Sequence, residues 1–228
     1  MIGQSVPMRR IMEAIERVAP ARVSVFITGE TGTGKEEAAK AIHERSGRTG
    51  PFVPVNCAAI IETLIESELF GHQKGSFTGA DRRHPGLVER ANGGTLFLDE
   101  ISEMRSEAQA KLLRVIEERR VLPVGGTQEI PIDVRFLAAS NRAPKQAIGD
   151  ERLREDLYYR LCAATIHLPH FGTGWRICQR SLITSSRKRT TIIRGKSTAS
   201  IQNACVPSKL IDGRETFASY VMYSILLC

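Results

Sequence analysis

Residues 29–36 read GETGTGKE. They fit the pattern G-x-x-x-x-G-K, in which main-chain N–H groups cradle phosphate oxygens and the lysine reaches the terminal phosphates. Glycine lets the backbone approach an anion closely. The candidate phosphate-binding residues are therefore Gly29, Glu30, Thr31, Gly32, Thr33, Gly34, Lys35 and Glu36. Loops of this kind usually end in Ser or Thr, a magnesium ligand; here Glu36 stands in that place. A second stretch, GGTLFLDE (93–100), brings Asp99 and Glu100 to the end of an apolar run. Asp99 is placed to hold Mg2+, directly or through water, and Glu100 to orient an attacking water. Acids at a strand end are commonly just solvated. Beside a phosphate-binding loop they point to ATP hydrolysis with Mg2+.

A third stretch, GSFTGA (75–80), mounts Phe77 and Thr78 between Gly75 and Gly79 in polar surroundings. An exposed aromatic of this kind usually means a binding partner.

These residues need elements to position them. VSVFIT (23–28), FVPVN (52–56), TLFLDE (95–100), DVRFLAASN (133–141) and AATIHL (163–168) read as five strands. Between them come segments of helical spacing: from Ser5 or Pro7 through Val18, from the glycine-rich turn to about Ser46, and ETLIESELF (62–70). SEAQAKLLRVIEERR (106–120), with Ser106 as its N-cap, and RLREDLYYRL (152–161) complete the set. Strand–helix alternation predicts an α/β fold with a parallel sheet covered on both faces. Polar residues recur at the carboxyl ends of the strands, where such sheets bind ligands.

Composition narrows the alternatives. Apolar content is 42% over 228 residues, ordinary for a globular chain, and no apolar run approaches a membrane span. The start has no apolar signal core, so a cytoplasmic protein is expected. The five cysteines show no metal or redox spacing. The net charge is +7, yet residues 1–170 hold 23 basic and 23 acidic residues. The whole excess lies in 171–228, so a basic nucleic-acid-binding face on the main body is not supported.

From about Ile2 to Pro169 the chain resembles the central AAA+ ATPase domain of bacterial sigma-54-dependent transcription activators of the NtrC type. The resemblance rests on GETGTGKE, NCAA (56–59), ELFGHQKGSFTGA (68–80), GGTLFLDE, LLRVIEE (112–118), VGG (124–126), AASNR (138–142) and REDLYYRL (154–161), in this order. It implies an AAA+ P-loop NTPase fold with a five-stranded parallel sheet flanked by helices. Glu36 fits the family, where Glu usually follows the lysine. Asn56 corresponds to a switch residue that hydrogen-bonds the catalytic glutamate and releases it according to nucleotide state. Ser140 and Asn141 correspond to the first sensor of the γ-phosphate. Arg154 and Arg160 correspond to arginine fingers that reach a neighbouring subunit's ATP, which implies a ring, expected to be a hexamer. On one helix, residues six apart lie about 120° apart around the axis. Gly75, Ser76, Phe77, Thr78, Gly79 and Ala80 match the family's GAFTGA loop, with Ser76 for Ala; Phe77 and Thr78 then contact sigma-54. The segment GGTQEIPID (125–133) looks like a second loop that moves with it.

The resemblance stops near His170. Phe171 to Cys178 reads FGTGWRIC, where the family continues with an acid- and arginine-rich pattern and a helical lid. Regrouping the permitted codons one base earlier allows Arg-Asp-Arg-Leu-Glu-Asp-Leu/Met-Pro, the family's own pattern. Residues 171–228 are therefore expected to be an out-of-frame, poorly ordered tail. No lid, DNA reader or sensing domain is recognisable in the sequence. Two readings result: an ATP-driven remodeller of sigma-54 RNA polymerase, or a truncated remnant that binds ATP without effective turnover.

Overall fold

The computed structural model describes residues 6–169. The expectations about 171–228, including the frameshift and the lid, lie outside the described residues.

In chain order the elements are α1 (Val6–Val18), β1 (Val25–Thr28), α2 (Lys35–Arg45), β2 (Phe52–Asn56), α3 (Ile65–Phe70), β3 (Gly71–His72), β4 (His84–Pro85), α4 (Leu87–Arg90) and β5 (Thr95–Asp99). A 3₁₀ turn (Ile101–Glu103) follows, then α5 (Ser106–Glu118), β6 (Arg120–Val121), β7 (Ile130–Pro131), β8 (Arg135–Ser140), α6 (Pro144–Gly149), α7 (Glu155–Leu161) and β9 (Ala164–His167). The five expected strands form one sheet in the order β2-β5-β8-β1-β9, every pair parallel.

The sheet is covered on both faces, which is why its central strands are apolar throughout. Phe26, Leu96, Leu98, Phe136 and Ala138 pack on one side with residues of α3, α5 and α7. Val25, Ile27, Phe97, Leu137 and Ala139 pack on the other with residues of α1 and α2. Phe26, Phe97 and Phe136 are almost wholly buried, each contributing about 1.5–3 kcal/mol of apolar burial. Two short antiparallel pairs, β3–β4 and β6–β7, stand apart from the main sheet.

Buried Arg135 starts β8 and ties α1 to the sheet. Its guanidinium donates to the carbonyls of Val18, Ala19 and Val23 at 2.9, 2.6 and 3.1 Å. These include carbonyls of the last turn of α1, which lack partners inside the helix. Burial, and secondarily Arg48, push this guanidinium down to about 10.

Three boundaries differ from expectation. Ser106 is the first helical residue and Arg105, in extended conformation, is the cap; no side chain closes that end. The segment 62–64 is a turn, so α3 starts at Ile65. Arg154 precedes α7, because its ψ of 134° is extended. The helical separation expected between Arg154 and Arg160 therefore does not apply: only Arg160 lies in the helix.

Candidate nucleotide site and output loop

The phosphate-binding motif leaves the end of β1. Gly29 N–H donates to Ser140 O at 3.3 Å, fastening the loop to β8. Thr33 Oγ1 donates to Glu30 O at 2.8 Å and closes the turn. Gly34 caps α2 with a φ of 82°, a left-handed backbone that a side chain would strain. Lys35 opens α2 and is buried; its Nζ donates to Gly29 O at 3.1 Å and to Glu30 O at 3.2 Å. The ammonium thus sits inside the curl of the loop. Glu30, Thr31 and Gly32 are exposed on its outer side, and Glu36 is exposed in the first helical turn.

The acidic pair lies two strands away in the same sheet. Asp99 ends β5, beside Asn56 at the end of β2 in strand register. Asp99 Oδ1 accepts the Glu100 N–H at 3.0 Å. Glu100 has φ 54° and ψ 45°, a left-handed conformation uncommon for a residue with a side chain. Both carboxylates are half-exposed.

Asn141 Nδ2 approaches Glu100 Oε1 at 3.5 Å. Asn56 Oδ1 accepts the Ala58 N–H at 2.9 Å, closing an Asx-type turn after the strand. Ser140 is buried and its hydroxyl closes the next turn with Arg142 N and O, both at 3.1 Å. Cys57, buried beside the acidic pair, has its thiol pushed up to about 12 by burial, then by Asp99 and Glu100.

The two candidate fingers lie on and before α7. Arg154 pairs with Asp156 through Nε–Oδ1 at 3.1 Å and Nη2–Oδ2 at 2.7 Å. This arginine holds the Asp156 carboxyl below its ordinary range, chiefly through these hydrogen bonds. Arg160 is exposed in the last turn of α7.

GSFTGA forms the tip between β3 and β4. Gly75 and Gly79 have φ of 79° and 98°. Gly75 N donates to Ala80 O at 2.8 Å and Ala80 N to Phe77 O at 3.0 Å, so the tip closes on itself. Ala80 is buried at its base, while Phe77 is 40% exposed and Thr78 is exposed. The Phe77 ring meets the His72 ring edge-on at 4.9 Å, and His72 stacks on His84 at 5.6 Å. His72 Nδ1 and Ser67 Oγ, 2.7 Å apart, connect the loop base to α3. The second loop meets the first here: Gln73 N donates to Val124 O at 3.0 Å and Val124 N to Gly71 O at 2.8 Å.

The Sigma-54 interaction domain profile matches residues 1–167. The chain belongs to this family. A sigma54-dependent transcriptional activator, SfnR of Pseudomonas putida, is 54% identical over 159 residues, 69% of this chain and 43% of SfnR. The crystal structure of NtrX from Brucella abortus in complex with ATP is 39% identical with a TM-score of 0.68, covering 74% of this chain and 36% of NtrX. The P-loop NTPase domain of an Escherichia coli sigma-54 protein, 17% identical with a TM-score of 0.51, covers 75% of this chain and all of that domain; it shares the fold. The sigma-54 interaction domain here thus has an AAA+ P-loop core and is related to transcription regulators. The chain spans 26% of the length of the Nif-specific regulatory protein of Azospirillum lipoferum and 43% of SfnR, well under two thirds of either. Among the described residues, no helix is long and apolar enough to cross a membrane, and no cluster of three or more His, Cys, Asp or Glu side chains could hold a metal.

Sequence reasoning missed Gln109, Glu103, Arg142 and Arg152, which connect the parts of this domain. Gln109 carried a readable signal: a polar residue on the apolar stripe of α5, between Ala108 and Leu112.

Proposed function

We propose that this domain binds ATP with Mg2+ and couples its hydrolysis to remodelling of sigma-54 RNA polymerase. The carrying observation is the convergence of the Lys35 loop, Asp99–Glu100 and Asn141 at the carboxyl edge of one sheet. An exposed aromatic loop is attached to the same fold, and the ATP complex of NtrX supports the nucleotide.

Residues 29–36 hold the phosphates, with main-chain N–H groups along the loop and Lys35 at the terminal phosphates. Lys35 fits this work because its present partners are two carbonyls of the same loop, which a phosphate oxygen can displace. Asp99 fits Mg2+: one Oδ1 bond leaves most of the four acceptor directions of a carboxylate. The ion, when bound, neutralises charge on the phosphate oxygens. Glu100 orients the water and accepts its proton as that oxygen attacks the γ-phosphorus; the bond to the β-phosphate oxygen breaks, giving ADP and phosphate. Asn141 holds Glu100 and reads the γ-phosphate. Asn56 uses Oδ1 for the Ala58 N–H, and its Nδ2 is the donor that meets Glu100 when the nucleotide changes.

Arg154 and Arg160 serve the site of the adjacent subunit in a ring, expected to be a hexamer, where a fixed guanidinium offsets transition-state charge. Gly75 to Ala80 form the sigma-54 contact, with Phe77 and Thr78 at its tip. Residues 1–170 are the working core in this reading, in the cytoplasm, and 171–228 a tail outside it.

ATPase rate against protein concentration tests the proposal. Specific activity should rise as subunits assemble, and Lys35→Ala or Asp99→Ala should abolish it. ATP binding by the wild-type chain with no turnover at any concentration would instead favour the binding-only remnant.

A further inference from the structure

Gln109 is a glutamine in a hydrophobic core. It is only 1% exposed on α5, with Ala108, Leu112, Val115 and Ile116 as its buried helical companions. A side-chain amide costs stability there unless its donors and acceptor are satisfied. All three functions are used, and all on main chain. Gln109 Nε2 donates to Met104 O at 2.7 Å and to Arg152 O at 2.8 Å. Gln109 Oε1 accepts the Arg154 N–H at 2.9 Å.

Those partners belong to two segments that matter to the proposed chemistry. Met104 ends the 3₁₀ turn that begins immediately after Glu100; Glu103 N donates to Glu100 O at 2.9 Å and Met104 N to Ile101 O at 3.2 Å. Arg152 to Arg154 is the bend leading into α7, with Arg154 itself in extended conformation. Its opposite edge is also fixed, because Arg152 N and Leu153 N donate to Ala147 O at 2.9 and 3.1 Å, and Leu153 is buried. The amide is therefore a clamp between the turn that follows the catalytic glutamate and the backbone that carries Arg154.

Glu103 adds an outer connection over the same gap. Its carboxylate meets Arg152 Nη1 at 3.2 Å and Arg142 Nε at 3.5 Å, and Arg142 directly follows Asn141. Those pairs are partly exposed and individually weak. The buried amide is the stiff member of the set.

We infer that Gln109 is a positioning residue for Arg154: it fixes the main chain from which this arginine reaches a neighbouring subunit, and links that main chain to the turn after Glu100. The inference rests on the proposed reading of Arg154 as an arginine that acts in trans. Glutamine is required at this place because the clamp needs one acceptor and two donors on one planar group. Leucine leaves a buried N–H and two carbonyls without partners; glutamate supplies the acceptor without the pair of donors.

The test is subunit mixing with the full chain. Gln109→Leu should keep its ATP affinity within about twofold and lose roughly a hundredfold in turnover, the scale on which a misplacement of about 1 Å acts. Its own nucleotide site still works, because the turn after Glu100 keeps the Glu103 N–H to Glu100 O and Met104 N–H to Ile101 O bonds, while its donated arginine loses the bond at the Arg154 N–H and is misplaced. Mixing it with Glu100→Ala subunits, which lack a catalytic acid but present a sound Arg154, should restore turnover. Mixing it with Arg154→Ala subunits should not, since neither partner supplies the arginine.

Equal restoration by both partners, or full activity of Gln109→Leu alone, overturns the inference. So does a folded variant that neither partner restores. The Arg154→Ala plus Glu100→Ala mixture contains no Gln109 change; if it fails to recover activity, the trans reading of Arg154 itself falls. If Gln109→Leu does not fold by thermal unfolding, Gln109→Glu, of nearly the same size, enters the same mixtures with the same expected pattern.

Discussion

Gly125 lies directly against Ser76: a Cβ placed on Gly125 would come within 2.6 Å of the Ser76 Cβ and 3.2 Å of its Cα. The Gly125 φ of 70° is also in the left-handed region, so the position excludes a side chain on two independent grounds. Ser76 is held in place by its hydroxyl, which donates to Gln73 O at 2.9 Å. The loop after β6 thus sets the backbone of Gly125 against the Cβ and Cα of Ser76 in the GSFTGA loop.

Gly125→Ala should force these loops apart. We expect a loss of about 1–3 kcal/mol of stability by chemical denaturation, from overpacking and backbone strain together. Capture of purified sigma-54 in the presence of a transition-state analogue of ATP should fall, while ATP binding persists. Unchanged denaturation and unchanged capture would contradict the packing described.

Phe77→Ala and Thr78→Ala should behave differently from that variant. Thr78 is exposed, so its change should leave stability within about 0.5 kcal/mol of wild type, whereas Phe77→Ala also loses the edge-on contact with His72, about 0.5–1.5 kcal/mol. Sigma-54 capture should nevertheless be lost and ATP binding retained. Loss of both binding activities would place the loop in the nucleotide site instead.

Asp156 holds Arg154 within its own subunit in a bidentate pair. An exposed pair of this kind is weak, so Asp156→Asn should raise turnover at limiting subunit concentration by at most a few-fold. The Asp156 carboxyl is held low by the arginine, so the pair is complete above the ordinary carboxylate range and is lost as pH falls through the depressed value. The advantage of the Asn variant should accordingly shrink in acid. A drop in turnover at neutral pH would show that Asp156 assists Arg154 rather than competing for it.

Cys57 should be inert while the domain is folded. With its thiol pushed up to about 12, the thiolate fraction at pH 8 is on the order of one in ten thousand. The sign of the linkage follows: the unfolded chain releases this proton near the ordinary thiol value while the folded chain retains it. The contribution to stability is complete below that value and is lost as pH rises toward 12. Alkylation at pH 8 followed by peptide mass spectrometry should find Cys57 unmodified without denaturant and modified with it. Rapid native labelling would mean that the strand end opens readily.

The five strands and their parallel pairing were legible because an apolar run bounded by glycine and polar residues leaves few alternatives for 25–28, 95–99 and 135–140. The phosphate loop and acidic pair were legible for a related reason: their chemistry depends on residues close in sequence. What escaped was set by contacts far apart in the chain. Gln109 reaches 43 to 45 residues to its partners at 152 and 154. Arg135 reaches 116 residues to Ala19. Neither residue has a local pattern that names its partner. The start of α7 was misplaced because helical spacing continues through Arg154, whereas tertiary bonds hold that residue extended. Asn56, by contrast, bonds locally, closing a turn with Ala58 two residues on.

The connection between the two surface loops is made by Gln73 N–H, Val124 O, Val124 N–H and Gly71 O, all atoms that every residue except proline possesses. Side chains at positions 73 and 124 can therefore drift freely over generations without separating the loops. Proline is the exception at either position, since it deletes the donor. These hydrogen bonds are a property of chain path rather than of residue identity; identity enters the coupling at Gly125, where a side chain cannot fit.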